Sequence, residues 1–375
     1  MPEQKPRLVL VDGHSLIYRS FMVFQGSGSS KAVEFSIRKT GEVTTAVYGF
    51  TSTLLSVLSI LKPTHLAVAL DAPGKTFRHE KAEEYKATRP AMPSELVRQS
   101  KRIRQVLEAF NMPVFEEPGW EADDVLGTLA KQAKKQHIPV TIVTLDSDLL
   151  QLVEPGVEVF MYRPYIKAAP AVTYDTGAVQ ERYGLTPEQI PDYKGLKGDT
   201  SDNIPGVPGI GEKTATKLLQ EFGTVGAIYE RLDEVTPEKL REKLREHEGQ
   251  ARFSKDLATI ARDAPTELDV EACRLQRFDR ARVEQLFHEL EFRTLLQRIP
   301  EELGAEAAAP AKATVLPKAK EAAAYRTITK AKDLTALAKI AKSAKRIGLH
   351  IENSDVNAMR GLPVGIAVAT AAGEA

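Results

Sequence analysis

Residues 119–152 read GWEADDVLGTLAKQAKKQHIPVTIVTLDSDLLQL, and this stretch decides the fold. Three carboxylates, Glu121, Asp123 and Asp124, fall within four residues at its start. Val125, Leu126, Leu129, Ala130 and Ala133 then recur at helical spacing. After a turn at His137 to Pro139 the chain reads VTIVTL, a buried strand, and two more acids, Asp146 and Asp148, follow at once. In a right-handed β-α-β unit the helix starts at the carboxyl edge of the sheet and the next strand returns to that edge. Helix start and strand end therefore meet. Five carboxylates on one rim repel each other unless cations hold them, and Mg²⁺ or Mn²⁺ suits oxygen donors. For either half alone, helix capping and an Asp-x-Asp turn explain the acids equally well. Joined by a helix and strand of the right length, the halves point to a metal site.

Working outward, the first strand, RLVLVD, delivers Asp12 to a strand end, and HLAVAL delivers Asp71. Three buried-strand patterns thus end in Asp12, Asp71 and Asp146, where a parallel sheet places ligands. Each alone also suits a turn. Between them, Lys75 to Arg104 carries nine Lys or Arg against four Glu and includes EYKATRP. Tyr85, Lys86 and Arg89 in that stretch suit phosphates and a stacked base, as a solvated charged helix face does equally well.

Residues 196–224, LKGDTSDNIPGVPGIGEKTATKLLQEFGT, add Asp199 and Asp202 and then a glycine-rich hairpin feeding a helix. Backbone N–H groups from Gly209 through Gly211 to Lys213 can face a phosphate there. The pattern is that of a helix-hairpin-helix, a sequence-independent grip on DNA, with Thr214 in its TA step and Lys213 and Lys217 facing the backbone. Residues 225–298 read as helices of one all-helical subdomain. The seven histidines are scattered, and none is expected as a ligand.

Composition bounds the rest. Hydrophobic residues at 42% and charged residues at 27% suit a soluble globular chain, and 375 residues leave room for two domains. No run approaches the roughly 20 apolar residues of a membrane span, and a lone Cys273 excludes an intramolecular disulfide. The expected setting is cytoplasmic. Lys plus Arg and Asp plus Glu are 51 each, so net charge says nothing of nucleic acid. Gly304 to Ala324 holds 10 Ala among 21 residues and reads as a linker. Beyond it, a strand, helix, strand, strand pattern of about 50 residues leaves sheet edges open, and the chain is expected to be a fragment of something longer.

VDGHSLIYRSF, TAVYGFTSTLL, FRHEKAEEYKATRPAMP, EADDVLGTLA, TLDSDLLQLV and GDTSDNIPGVPGIGEKTA together closely resemble the 5′ nuclease domain found at the N-terminus of bacterial DNA polymerase I. The resemblance runs from about Leu8 to Arg298. It implies an α/β, PIN-like mixed, mostly parallel sheet with a helical arch over residues 1–195, a helix-hairpin-helix helical subdomain over 196–300 and a linker over 301–324. It further implies a truncated RNase H-like, 3′-5′ exonuclease-like segment over 325–375. There the family's Asp-x-Glu reads His350, Ile351, Glu352, so that site is expected to be inactive.

The activity implied is structure-specific hydrolysis of 5′ flaps and RNA primers in replication and repair, by a monomer with a polymerase in the same full-length chain. The family's metal carboxylates fall on Asp12, Asp71, Glu121, Asp123, Asp124, Asp146, Asp148, Asp199 and Asp202. Two Mg²⁺ are implied, replaceable by Mn²⁺: one mainly on Asp12, Asp71 and Asp123, the other near Asp146, Asp148 and Asp202. Tyr85, Lys86 and Arg89 are implied to meet the scissile phosphate and its base, with Arg78 in support. A K⁺ ion is implied on backbone oxygens around Val207 and Ile210. Three departures stand out: Ser147 where a basic residue is usual, Leu145 in place of a small residue, and a longer loop from Phe24 to Ile37. A DNA-binding module that does not cut, and a PIN-type ribonuclease, are the competing readings.

Overall fold

Leu8–Asp12 forms β1, and its side chains divide cleanly between two layers, as a strand's period of two requires. Val9 and Val11 enter one apolar cluster and Leu8 and Leu10 another. A strand buried on both faces belongs in the middle of a parallel sheet, and β1 lies there. In this computed structural model the described residues are 6–24, 35–89, 92–163, 171–275, 278–300, 331–344, 347–353 and 363–369. Those up to Pro300 belong to a unit spanning Met1–Ala308, and the rest to a second unit spanning Ala309–Ala375.

In the first unit, β1 is followed by α1 (Gly13–Phe24), α2 (Thr45–Leu61), β2 (His65–Ala69), α3 (Phe77–Lys81), α4 (Ser94–Ala109), β3 (Val114–Phe115), α5 (Ala122–Lys135) and β4 (Val140–Val143). Then come β5 (Val157–Tyr162) and β6 (Ala171–Tyr174). The six described strands run in the order β3-β2-β1-β4-β5-β6. All neighbours are parallel except β5 and β6, with Leu8 opposite His65 on one side and Val140 on the other. Helices α1, α2 and α4 cover one face through Leu16, Phe21, Phe50, Leu54, Ile103 and Leu107. Helix α5 covers the other through Val125, Leu126, Leu129, Ala130 and Ala133, the stripe its sequence spacing predicts. The carboxyl ends of β1, β2 and β4 open on one edge.

Next come α6 (Thr176–Tyr183), α7 (Ile190–Lys197), α8 (Glu212–Phe222), α9 (Val225–Glu230), α10 (Glu238–Glu246) and α11 (Glu248–Ala258). A separate cluster of Leu185, Leu196, Ile210, Leu218, Leu219, Phe222, Ile228 and Leu244 binds most of them together. The expectation of a helical subdomain running on to residue 300 differs from the packing. Ile260, Ala264, Leu268 and Cys273 return to the α5 layer. Helices α12 (Arg280–Glu289) and α13 (Arg293–Leu296) insert Phe287, Phe292 and Leu295 beside α2 and α4. An amphipathic helix declares that it has an apolar face, not which core receives it.

The expected helical arch also differs. Between β2 and α4 the described residues form the five-residue α3 and then turns through Arg89. Lys86 has φ of 55°, a left-handed conformation that interrupts a helix, and Pro93 precedes α4. Of the long Phe24 to Ile37 loop, residues 25–34 lie outside the described residues, as does the whole 301–324 linker.

The second unit contains α14 (Ala331–Ser343) and an antiparallel pair, β7 (Gly348–Asn353) and β8 (Pro363–Ala369). His350, Ile351 and Glu352 lie on β7, opposite Ala367, Ile366 and Gly365. The first strand expected there, around residues 325–330, lies outside the described residues. Among the described residues no helix is long and apolar enough to cross a membrane.

Candidate active site

The carboxyl edge of the sheet forms a cavity of about 830 Å³. Asp12, Asp71, Glu121, Asp123 and Asp146 line it together, as the strand-end reading requires. Asp12 is fixed by its neighbours: it accepts from the Thr144 hydroxyl at 2.6 Å and from the Ser15 amide at 3.0 Å. Asp71 accepts from the Ala122 amide at the start of α5, 2.8 Å away, and faces His14 Nδ1 at 3.2 Å. Asp146 accepts from the Asp148 amide at 2.9 Å. Burial, then the neighbouring charge of Asp12 and Asp146, raises Asp123 well above the ordinary carboxylate range. Burial likewise raises Asp12, against the pull of its hydrogen bonds.

Asp124 points the other way. Its side chain is fully buried, and Arg78 grips it with two parallel bonds of 2.7 and 2.8 Å. Its oxygens also accept from the amides of Glu121 and Ala261. Arg78 donates further to the carbonyls of Leu257 and Thr259, so this pair ties α3, α5 and the end of α11 together. Both Asp124 oxygens are thereby occupied away from the cavity. Successive helical residues are rotated by about 100°, which is why Asp123 faces the rim and Asp124 the interior.

Tyr85 is 3% exposed; its ring packs with Ile204, Leu257 and Ala258 instead of lining the cavity. Its hydroxyl donates toward Glu121 at 3.1 Å and Asp202 at 3.3 Å. Lys86 and Arg89 do line the cavity. Lys86 Nζ meets Glu121 at 2.8 Å, and Arg89 is paired with Asp202. Burial opposes the Lys86 charge, but Glu121, Asp202 and Asp123 outweigh it and hold the ammonium ionised. Asp148 and Asp199 lie beyond this rim, both bound to Lys194. The nine acids are therefore in one neighbourhood but not in one shell.

The donor set suits a hard divalent ion. Asp12, Asp123 and Asp146 face one cavity, and burial with their mutual repulsion raises Asp123 even though Lys86 offsets part of that charge. No three such groups among the described residues already enclose an ion position, so the set is a donor-rich wall and not a finished cage.

Beside the cavity, Asp199 and Ile204 exchange two backbone bonds of 2.8 Å, closing the SDN hairpin. Gly198 and Gly206 sit behind it, both with positive φ, so close that a Cβ on Gly206 would lie 2.2 Å from the Gly198 nitrogen. Only glycine fits there. The next turn carries Gly209 at φ 75° and ends at Gly211, the N-cap of α8. Val207 and Ile210 bury their side chains and close this turn by an Ile210 amide to Val207 carbonyl bond of 3.0 Å. Lys213 and Lys217 are exposed on α8, and Thr214 is half-buried between them.

Residues 7–184 match the 5′-3′ exonuclease N-terminal resolvase-like domain, and residues 185–281 match the 5′-3′ exonuclease C-terminal SAM fold. The chain belongs to the 5′-3′ exonuclease family. Over 302 residues the chain is 47% identical to DNA polymerase I of Bacillus subtilis, covering 80% of this chain and 33% of that protein. It is 46% identical to DNA polymerase I of Chloroflexus aurantiacus over 299 residues, covering 79% of this chain and 31% of that one. The chain thus spans about a third of the length of these relatives. A zinc-bound phage T5 5′-exonuclease structure aligns with a TM-score of 0.53 at 22% identity, covering 76% of this chain and 98% of that one. A phage T5 flap endonuclease complex with DNA and metal ions aligns equally well, at 0.53 and 22%, over 76% of this chain and 99% of that one. At that identity the likeness concerns the fold.

The cavity also draws on residues that the sequence did not advertise. Thr144 and Ser15 hold Asp12, His14 meets Asp71, and Tyr18, Arg19, Met92 and Arg163 complete the cavity wall. A helical reading of GHSLIYRSF from Asp12 puts His14, Ser15, Tyr18 and Arg19 near one face, and that spacing was the available signal. Lys194 and Thr144 carried none.

Proposed function

We propose that this chain hydrolyses phosphodiester bonds at 5′ flaps and RNA primers in DNA replication and repair, as the N-terminal part of a longer DNA polymerase I. The observation that carries the reading is one cavity that presents Asp12, Asp71, Asp123 and Asp146 together with Lys86 and Arg89, next to a glycine hairpin with exposed lysines. Asp12, Asp71 and Asp123 would hold one divalent ion, Mg²⁺ or Mn²⁺, and Asp146 with Asp148 and Asp199 a second, with Glu121 and Asp202 at their margin and Asp124 acting through Arg78. When bound, such ions lower the pKa of water and stabilise charge on a leaving oxygen.

The chain's own groups do the rest. Lys86 and Arg89 exchange their carboxylate partners for the scissile phosphate, the same kind of charge-assisted hydrogen bond. Thr144 and the Ser15 amide keep Asp12 aimed at the cavity. The amides around Gly209 and Gly211, with Lys213, Thr214 and Lys217, grip duplex phosphates without reading bases. The carbonyl oxygens of Val207 and Ile210 would take a K⁺ ion at that turn. In this reading the enzyme is cytoplasmic, nucleoid-associated and works as a monomer.

The test is cleavage of a 5′-labelled flap on nicked duplex by residues 1–375, with Mg²⁺ and with EDTA. Release of the flap as a discrete oligonucleotide only with Mg²⁺ is expected. Tight binding without products at every metal concentration would put a non-cutting module in its place, and preference for single-stranded RNA would put a ribonuclease there.

A further inference from the structure

Lys194 is the one buried lysine among the described residues. It projects from α7, and its side chain is 9% exposed. Its ammonium pairs with Asp199 Oδ2 at 2.5 Å and with Asp148 Oδ1. These acids come from different segments, one from the turn after β4 and one from the hairpin after α7. Burial opposes the charge on Lys194, yet the two carboxylates hold it ionised beyond the usual lysine range.

A structural lysine of this kind ordinarily has nowhere to go. Here it lines a second cavity of about 350 Å³, with Ser147, Tyr193, Lys197 and Asp199. That cleft shares Ser147 and Ser201 with the cavity of Asp12 and Asp123. A four-carbon stem with free rotations can carry the ammonium from one position to the other.

We propose that Lys194 is the resident counter-ion of Asp148 and Asp199, and that a divalent ion reaches those two carboxylates only by displacing the ammonium into the adjoining cleft. This rests on the reading of the acid set as a metal site and says how that set is divided. Among the described residues Lys86, the lysine nearest the wall of Asp12, Asp71 and Asp123, is ion-paired with Glu121 and not with those three acids, so that wall fills first. The Asp148 and Asp199 half fills second and more weakly, because each ion entering must exchange with a fixed positive charge. Lys194 is a positioning residue in this scheme and touches no substrate.

The test counts Mn²⁺ bound to the metal-free 375-residue chain by electron paramagnetic resonance, beside Lys194→Met and Lys194→Arg. A tight and a weak class are expected for the parent chain. Lys194→Met should tighten the weak class about tenfold or more, the scale of a modest electrostatic gain, while Lys194→Arg should not tighten it. An unchanged weak class in Lys194→Met overturns the proposal. Because that variant can fail to fold in EDTA, ¹⁵N-lysine NMR of the parent chain supplies a second readout: the Lys194 ammonium signal should move in the second step of a Mg²⁺ titration. A signal that stays fixed at saturating Mg²⁺ overturns the proposal. Absence of any Mn²⁺ binding by the parent chain would instead remove the metal-site reading on which it stands.

Discussion

The backbone amide of Lys86 donates to the Asp202 carbonyl oxygen at 2.9 Å, from a residue held at φ 55°. One residue on, Asn203 at φ 56° returns its side-chain amide to the Glu84 carbonyl at 2.7 Å. Two left-handed residues thus clasp the cationic turn to the SDN hairpin. The rim of the cavity is one mechanical piece assembled from segments more than 100 residues apart.

Asn203→Ala breaks that clasp at its exposed end. It removes a hydrogen bond worth about 1 kcal/mol and the residue type best suited to positive φ. Limited trypsin digestion should cut after Lys86 faster than in the parent chain, with the global unfolding midpoint lowered only slightly. Equal digestion rates would show that the turn is held by other contacts.

Asp124 and Asp146 should part company in mutagenesis. Asp124→Asn leaves buried Arg78 with only the longer Glu121 contact of 3.4 Å as a charged partner, and loss of one member of a buried pair costs about 3–5 kcal/mol. Asp146→Asn removes a charge from a crowded wall. It should leave urea stability in EDTA unchanged or raised, and lower flap cleavage in Mg²⁺ about 100-fold or more. Urea melts and single-turnover cleavage on the same preparations separate the two.

Acid-range stability should reverse its slope with metal. Burial raises Asp12, Asp123 and Asp148, the last to about 7 from an ordinary 3.8. Between those values the native state holds protons that the unfolded chain has released, so metal-free stability should fall as pH rises from about 4 to 7. Divalent ions need the deprotonated carboxylates, and binding therefore strengthens over the same window. Urea melts at pH 5 and 7.5, in EDTA and in Mg²⁺, should show opposite trends; parallel trends would contradict the burial of these acids.

Lys213 and Lys217 should act on duplex affinity without affecting chemistry. Replacing either with Ala should weaken DNA binding uniformly across sequences and reduce the slope of log affinity against log salt by about 1. The rate of cleavage at saturating enzyme should stay the same. A change in that rate instead would place these lysines at the scissile bond.

Much of this site could be read before any coordinates. Asp12, Asp71 and Asp146 were legible because parallel strands must deliver their final residues to one edge, and Asp123 because a helix start must meet that edge. The spacing of Glu121, Asp123 and Asp124 could not say which carboxylate turns inward, since that depends on where Arg78 lies in three dimensions. The cations of EYKATRP read as phosphate ligands or a solvated helix face and the resemblance implied a helical arch, but a short α3 and Lys86 at positive φ fold Lys86 and Arg89 down onto Glu121 and Asp202. Lys194 looked like any charged residue of a short helix. Its value comes from Asp148, 46 positions away, and local patterns do not report such pairings.

The return of residues 260–299 to the sheet has a bearing on how the protein is made. Phe278, Phe287, Phe292, Leu295 and Ile299 complete the same apolar cluster as Val9, Phe50 and Leu107, so the layer that begins with the first strand is closed by almost the last helix of its unit. During synthesis α1, α2 and α4 emerge well before the aromatic residues that complete their packing. A gene truncated anywhere between the hairpin and residue 299 would encode every acid of the wall and still lack the lid of its own core.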